Sequence, residues 1–425
     1  MAGSLSKTLA GGLALGLALA SPAAAAAPFD RWSGDGGVPA FYSWTGALPD
    51  NPGVMLRAEA APAEISVPGA GRAERMLHTS TDWLDGKSII TVSGVVFFPK
   101  GEPPEGGWPV IAWAHGTTGI ADVCAPSAMA RSARDKAYLS AWLDDGYAIV
   151  ATDYQGLGTP GPHPYLQPGS EARSVLDSVR AALQRYPREL SNRVIPIGQS
   201  QGSGAVIAAA RLAPAYAPEL DIRGTVATGV VAHTNAPSGA PQAAPPALYA
   251  DPNDYANSAY EILYFLGAVR SMDPAGIDPE AFISDAGRPL LEKAQTTCMS
   301  GLRDFAAELK LPVAQLYRQP IAELERRADA QADFPDVKIP TPVFTGVGLA
   351  DADSQPANQY NFISAMCAAG VRVEWRFYPG ENHGSAVMRS REHSVAFVRD
   401  ALDGRPTLNR CAELPPPSLL QAAKN

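Results

Sequence analysis

Gly198-Gln199-Ser200-Gln201-Gly202 is the one place in this chain where a serine has glycine both two residues before and two residues after it. That spacing suits a nucleophile. The apolar run Val194-Ile195-Pro196-Ile197 leads into it, and Ser203, Gly204, Ala205, Ala208, Ala209 and Ala210 continue after it with small side chains. A strand, a tight turn and a helix in that order lift a serine hydroxyl out of a strained bend, with glycine where any side chain would strike the neighbouring elements. Such a hydroxyl attacks a carbonyl only if a base takes its proton and an acid holds the base in place.

The base must be one of six histidines, His78, His115, His163, His233, His383 and His393. Only the last two follow an acid in the order nucleophile, acid, base. His383 sits in Tyr378-Pro379-Gly380-Glu381-Asn382-His383-Gly384, a loop directly after a strand pattern, whereas His393 falls inside a closing helix and reads as a packing or solvated residue. The acid is Asp351, at the end of Gly348-Leu349-Ala350-Asp351, with Asp353 as the alternative two residues on. Charge that builds on the attacked oxygen needs two fixed N–H donors. The backbone of Gln201 supplies one, and that of Thr117, in His115-Gly116-Thr117-Thr118-Gly119, supplies the other. His115 comes early and reads as a residue that shapes this loop. The chemistry is acyl transfer through a serine ester, with no metal and no organic cofactor.

Such residues need a scaffold that brings distant loops together. Strand patterns at 88–98, 109–114, 147–153, 194–199, 222–231, 341–346 and 371–378 alternate with helical spacing at 132–143, 170–186 and 384–402. That rhythm predicts an α/β fold, a mostly parallel sheet covered by helices on both faces. It breaks at 233–339, where a Pro-rich loop leads into helical stretches at 253–270, 302–311 and 313–330, an inserted cap. The core therefore comes in two parts, 88–232 and 340–405, with an N-terminal extension, 28–87, packed on it and a tail at 406–425. Tyr260, Leu263, Tyr264 and their neighbours make the first cap helix apolar. Two readings stand side by side: a site for an acyl chain or aryl group, and the packing of the cap onto the core.

Residues 1–27 carry Lys7, an apolar run at 9–20, Ser21-Pro22 and a row of alanines. This predicts a cleavable signal peptide and a secreted or periplasmic chain, since the run falls short of the roughly 20 residues of a membrane span. With 34 basic against 43 acidic residues, a net charge of −9 and no basic cluster, a nucleic-acid partner is excluded. None of the four cysteines, Cys124, Cys298, Cys367 and Cys411, is in a C-x-x-C spacing. An even count in an exported chain predicts two disulfides, with three pairings open.

Together these residues resemble a known family. The chain is similar to the secretory lipases of the α/β-hydrolases, which include fungal lipases of the lipase A type and exported bacterial esterases. The resemblance spans residues 41–411. It is carried by His115 to Gly119 with Cys124-Ala125-Pro126-Ser127, by Asp153-Tyr154-Gln155-Gly156-Leu157-Gly158, by the serine turn, by Gly348 to Asp351, and by Tyr378 to Gly384. It implies an α/β-hydrolase fold, a triad of Ser200, Asp351 and His383, a cap that serves as a lid, and disulfides Cys124 to Cys298 and Cys367 to Cys411. The acid loop departs from the family, with Ser354-Gln355 where similar sequences have a Val-Pro type continuation, and the cap is the part least like it.

The reading is an exported serine carboxylic ester hydrolase of the triacylglycerol lipase or carboxylesterase type. Its partner would be a small-molecule or lipid ester, with no membrane span and with contact to a lipid interface left open. Two alternatives remain at this level, an exported serine peptidase or amidase on the same fold and a non-catalytic binding protein.

Overall fold

A computed structural model describes residues 36–235, 239, 241–244, 254–272, 277–418 and 420. The expected signal peptide, 1–27, the start of the N-terminal extension and part of the Pro-rich stretch after 235 lie outside the described residues. The core is a nine-stranded sheet: β1 (Met55–Ala60), β2 (Arg72–Thr81), β3 (Ile89–Phe98), β4 (Trp108–Ala114), β5 (Ala148–Thr152), β6 (Leu190–Gln199), β7 (Thr225–Thr228), β8 (Val343–Gly348) and β9 (Val373–Tyr378). Their spatial order is β1-β2-β3-β5-β4-β6-β7-β8-β9. The pairs from β1 to β5 run antiparallel, and every pair from β5 across to β9 is parallel.

The central strands are apolar on both faces because both are covered. Along β4, Val110 and Ala112 join one core cluster and Ile111 and Trp113 the other, the two-residue period of a strand. On the first face lie α2 (Pro168–Arg185), α3 (Gln201–Tyr216) and α8 (Pro356–Ala368), which add Val175, Val206 and Phe362. On the second, α1 (Ala133–Asp144) and α9 (Ser385–Leu402) add Trp142 and Phe397. Ser132 caps α1 by accepting the Asp135 N–H at 3.1 Å, which stabilises the helix start by about 1 kcal/mol.

Between β7 and β8 come α4 (Ala256–Met272), α5 (Arg288–Ala294), α6 (Met299–Leu309) and α7 (Ala322–Ala332). They share an apolar cluster of their own, with Leu263, Leu266, Val269, Leu290 and Leu302 among its members, joined from the core by Ile120 and Tyr165. The Cys124–Cys298 disulfide and the Met299 N–H donating to Thr118 O at 2.8 Å bind this cap to the loop after β4. A second disulfide, Cys367–Cys411, fastens the end of α8 to the C-terminal segment beside β9. These are the pairs that the family resemblance implies.

Several elements differ from the sequence expectation. The extension expected at 28–87 contributes β1 and β2 to the sheet itself. Polar residues hide β2: His78, Thr79, Ser80 and Thr81 are buried in it, and partners such as Asp177, which accepts from Ser80 Oγ at 2.7 Å, make that burial tolerable. The strand expected at 222–231 shrinks to β7, since Ile222 makes only an isolated bridge to Val194 and Gly229, at φ 60°, turns the chain away. Pro320 precludes one helix over 313–330, leaving a short turn at Val313–Gln315 and then α7. Helices α5 and α8 were not expected.

Candidate active site

Ser200 is the single residue between β6 and α3. Its φ of 57° and ψ of −126° lie in the left-handed region, a conformation that costs a residue with a side chain about 1–3 kcal/mol and persists only when its surroundings hold it. Here they do. The Ser200 N–H donates to Thr228 O at 3.0 Å. Ser203 Oγ donates to Ser200 O at 2.5 Å and accepts the Val231 N–H at 2.8 Å. A Cβ on Gly198 would overlap the Gly202 carbonyl, and one on Gly202 would overlap the carbonyl of Ala114. Glycine is therefore the only residue that lets α3 begin this close to β4 and β6.

The other expected residues all leave the C-terminal ends of parallel strands, where α/β sheets gather their ligands. Thr117 follows β4, Asp351 follows β8 and His383 follows β9. Ser200, Thr117, His383 and Asp353 line one cleft of about 630 Å³, while Asp351 stands behind its wall. His383 Nδ1 lies 2.8 Å from Asp351 Oδ2. The same carboxylate accepts the N–H groups of Asp353 and Ser354 on Oδ1 at 3.0 and 2.8 Å, and Gln359 Nε2 on Oδ2 at 3.0 Å. Four donors on a side chain with no solvent exposure define a buried, fully bonded carboxylate. Asp353 is exposed and makes no such contact with His383. The departure at Ser354 is accommodated, because its Oγ donates to Val230 O at 2.6 Å.

The loop after β4 is braced from below. His115 is buried, with Nδ1 2.7 Å from Gly116 O and Nε2 3.2 Å from Asp153 O, and burial depresses its pKa to about 4. It is thus a neutral bracing residue. Tyr154 donates to His115 O at 2.8 Å, and Asp153 accepts from Ser93 Oγ at 2.7 Å and the Ser127 N–H at 2.9 Å. Thr117 Oγ1 lies 2.7 Å from the Tyr165 hydroxyl. Gln201, as the first residue of α3, has an N–H with no acceptor inside its own helix. His393 sits away from this group, its Nδ1 3.1 Å from the Tyr378 hydroxyl, which is a packing contact.

One feature was not legible beforehand, and another had two readings open. Gln359 ties Asp351 to the sheet, since its Oε1 also accepts the Val230 N–H at 2.9 Å. The apolar face of α4 turns out to be cap packing, with Leu263, Phe265, Leu266 and Val269 buried in the cap cluster. Of the aromatic residues on α4, Tyr260 is the one that reaches the cleft among the described residues, where Met299 and Arg303 of α6 join it.

Residues 126–238 match the sequence profile of the family described as secretory lipase. Lipase A of Moesziomyces aphidis is 24% identical over 282 residues, 62% of this chain, and the chain spans little more than half of that relative, 56%. The secreted triacylglycerol lipase LIP7 of Malassezia globosa is 23% identical over 384 residues, 85% of this chain and 77% of the relative. Among solved structures, lipase A of Candida antarctica superposes with a TM-score of 0.65 at 18% identity, over 91% of this chain and 93% of that one, a likeness of fold. The matched profile over residues 126–238 and the two sequence relatives agree in their likeness to secretory lipases, and the parallel sheet with its covering helices gives the chain the fold of lipase A.

Proposed function

We propose that the chain is an exported serine hydrolase of carboxylic esters, of the lipase or esterase type. The observation that carries this reading is the hydrogen bond from His383 to the buried Asp351 in the wall of the cleft that Ser200 enters from its strained turn. In the reaction, His383 takes the Ser200 proton as Oγ bonds to the ester carbonyl carbon. The resulting oxyanion is held by the main-chain N–H groups of Gln201 and Thr117. Asp351 keeps the proton on Nδ1, so that Nε2 faces the serine, and stabilises the imidazolium that forms. That imidazolium then protonates the departing alcohol, leaving an acyl ester on Ser200. A water attacks the ester carbonyl while His383 takes its proton, and return of that proton to Ser200 Oγ releases the acid.

The leader at 1–27 supports export, and N-terminal sequencing of the mature protein tests it. The activity is tested by turnover of p-nitrophenyl acyl esters of increasing chain length beside p-nitroanilide peptides. Ester turnover that disappears in Ser200→Ala is the expected result. Amide turnover that exceeds ester turnover would reassign the chain to the serine peptidases, and hydrolysis that survives Ser200→Ala would remove the triad.

A further inference from the structure

Behind the proposed oxyanion donor lies a set of buried polar side chains that the reaction as written does not use. Gln201 has its main chain at the start of α3 and its side chain in the interior, 1% exposed. One N–H of its amide donates to Glu171 Oε1 on α2 at 2.8 Å. The other meets His163 Nε2, in the loop between β5 and α2, at 3.1 Å. His163 Nδ1 lies 2.8 Å from the Gln155 carbonyl, a group that can only accept. The ring proton is therefore on Nδ1, which leaves Nε2 as the acceptor that the Gln201 amide requires.

The support extends further down. Gln155 donates from Nε2 to Asp82 Oδ1 at 2.8 Å, and its Oε1 accepts the Trp83 N–H and Ser170 Oγ, each at 3.1 Å. An unbroken line of hydrogen bonds thus runs from the end of β2 to the residue after the nucleophile. Each bond made in this interior chain resists displacement, since losing one there costs about 1–3 kcal/mol. The Gln201 amide is held through Nε2 alone, its Oε1 being buried without a hydrogen-bond partner among the described residues. Burial pushes the Glu171 carboxyl up to about 8, so at neutral pH it is held mainly as the neutral acid. A glutamine of the same shape replaces it without a change of charge.

We infer that Glu171 and His163 are positioning residues that clamp the Gln201 side chain and, through it, aim the Gln201 main-chain N–H at the oxyanion. This rests on the ester hydrolase reading given above. A donor that is loosened rather than removed should lose less than the ~10²–10³ in kcat that deletion of an oxyanion donor costs.

The test compares the full chain with Glu171→Gln, Glu171→Leu, Gln201→Leu and the double variant Glu171→Leu/Gln201→Leu. Three quantities are read: labelling of Ser200 by an alkyl phosphonate, kcat and KM on a p-nitrophenyl ester, and affinity for a trifluoromethyl ketone, whose hemiketal resembles the tetrahedral intermediate. Glu171→Leu should lower kcat by about tenfold to a hundredfold and weaken the ketone by the same factor, with KM within about twofold. Glu171→Gln should stay within about threefold of the parent, and Glu171→Leu should cost nothing more once Gln201→Leu is present. Full kcat in Glu171→Leu would overturn the inference, as would additive losses in the double variant or a Glu171→Gln as impaired as Glu171→Leu. A parent chain that the phosphonate does not label at Ser200 would instead overturn the hydrolase reading, and the inference with it.

Discussion

His383 and Asp351 share a hydrogen bond of 2.8 Å from Nδ1 to Oδ2, although 32 positions of sequence, including all of α8 and β9, separate them. Asp353 contributes to that pair only its N–H, which Asp351 Oδ1 accepts. Asp351→Asn should therefore lower kcat on an ester substrate by on the order of 10³–10⁴, because an amide that donates to Nδ1 favours the wrong tautomer of the imidazole. Asp353→Asn keeps the N–H and should cost less than about tenfold. Steady-state kinetics of the two variants decide the matter, and the reverse ranking would make Asp353 the acid.

The parts of this site that sequence could reveal are those whose chemistry dictates residue type and spacing. Gly198 and Gly202 are legible because backbone packs where their side chains would be, and His383 because a loop after the last strand is the place for a base. Gln359 is different. Its bonds to Asp351 and Val230 depend on how α8 docks on the sheet, and nothing in the local residues of α8 announces that docking. Glu171, His163 and Gln201 meet for the same kind of reason, through the contact of α2 with α3. The strand β2 was hidden because its buried residues are largely polar, so composition argues against burial while the hydrogen bonds that permit it lie on distant elements.

The close approach at the turn sets a second expectation. Gly202→Ala places a methyl group against the Ala114 carbonyl, which belongs to β4 and cannot turn aside. It should destabilise the chain by at least about 3 kcal/mol, the upper end of ordinary overpacking. Gly146→Ala is the comparison, since its Cβ would meet nothing and only its φ of 86° is unfavourable, a cost of about 1 kcal/mol. Urea unfolding of both variants measures the difference. Equal losses would mean that the turn can relax around a side chain.

The two disulfides should separate stability from activity. Cys124–Cys298 closes a sequence separation of 174 and Cys367–Cys411 one of 44, so loop-closure entropy assigns them about 5 and about 4 kcal/mol. Their surroundings differ more than their entropies. The first joins α6 to the segment just after the Thr117 loop, where Met299 N–H also bonds to Thr118 O, whereas the second lies beside β9 at the edge of the sheet. Replacing both cysteines of the first pair by serine should lower kcat at temperatures where the protein remains folded. The same change in the second pair should lower the unfolding midpoint and leave kcat within about twofold. A kcat equally insensitive to both would show that the cap holds the loop without its covalent tie.

His78 offers a test of pH-dependent stability well away from the cleft. It is fully buried on β2, its Nδ1 is 3.1 Å from Thr79 O, and its Nε2 has no hydrogen-bond partner among the described residues. Burial lowers its pKa from 6.5 to about 4, so the folded chain keeps it neutral while the unfolded chain protonates it below pH 6.5. Between those values the unfolded state binds the extra proton, and stability falls as pH falls. From pH 7 to pH 5 this one residue should remove about 2 kcal/mol. His115 and His163, held at about 4 and about 3 by burial, act in the same direction, and Glu171, raised to about 8, acts in the opposite one. A variant isolates the His78 share. His78→Leu leaves Thr79 O with the Gly53 N–H it already accepts, so no carbonyl is orphaned. The parent should lose about 2 kcal/mol more than His78→Leu between pH 7 and pH 5 in urea unfolding, because the opposing groups are common to both chains and cancel. Identical losses would show that His78 is protonated in the folded chain.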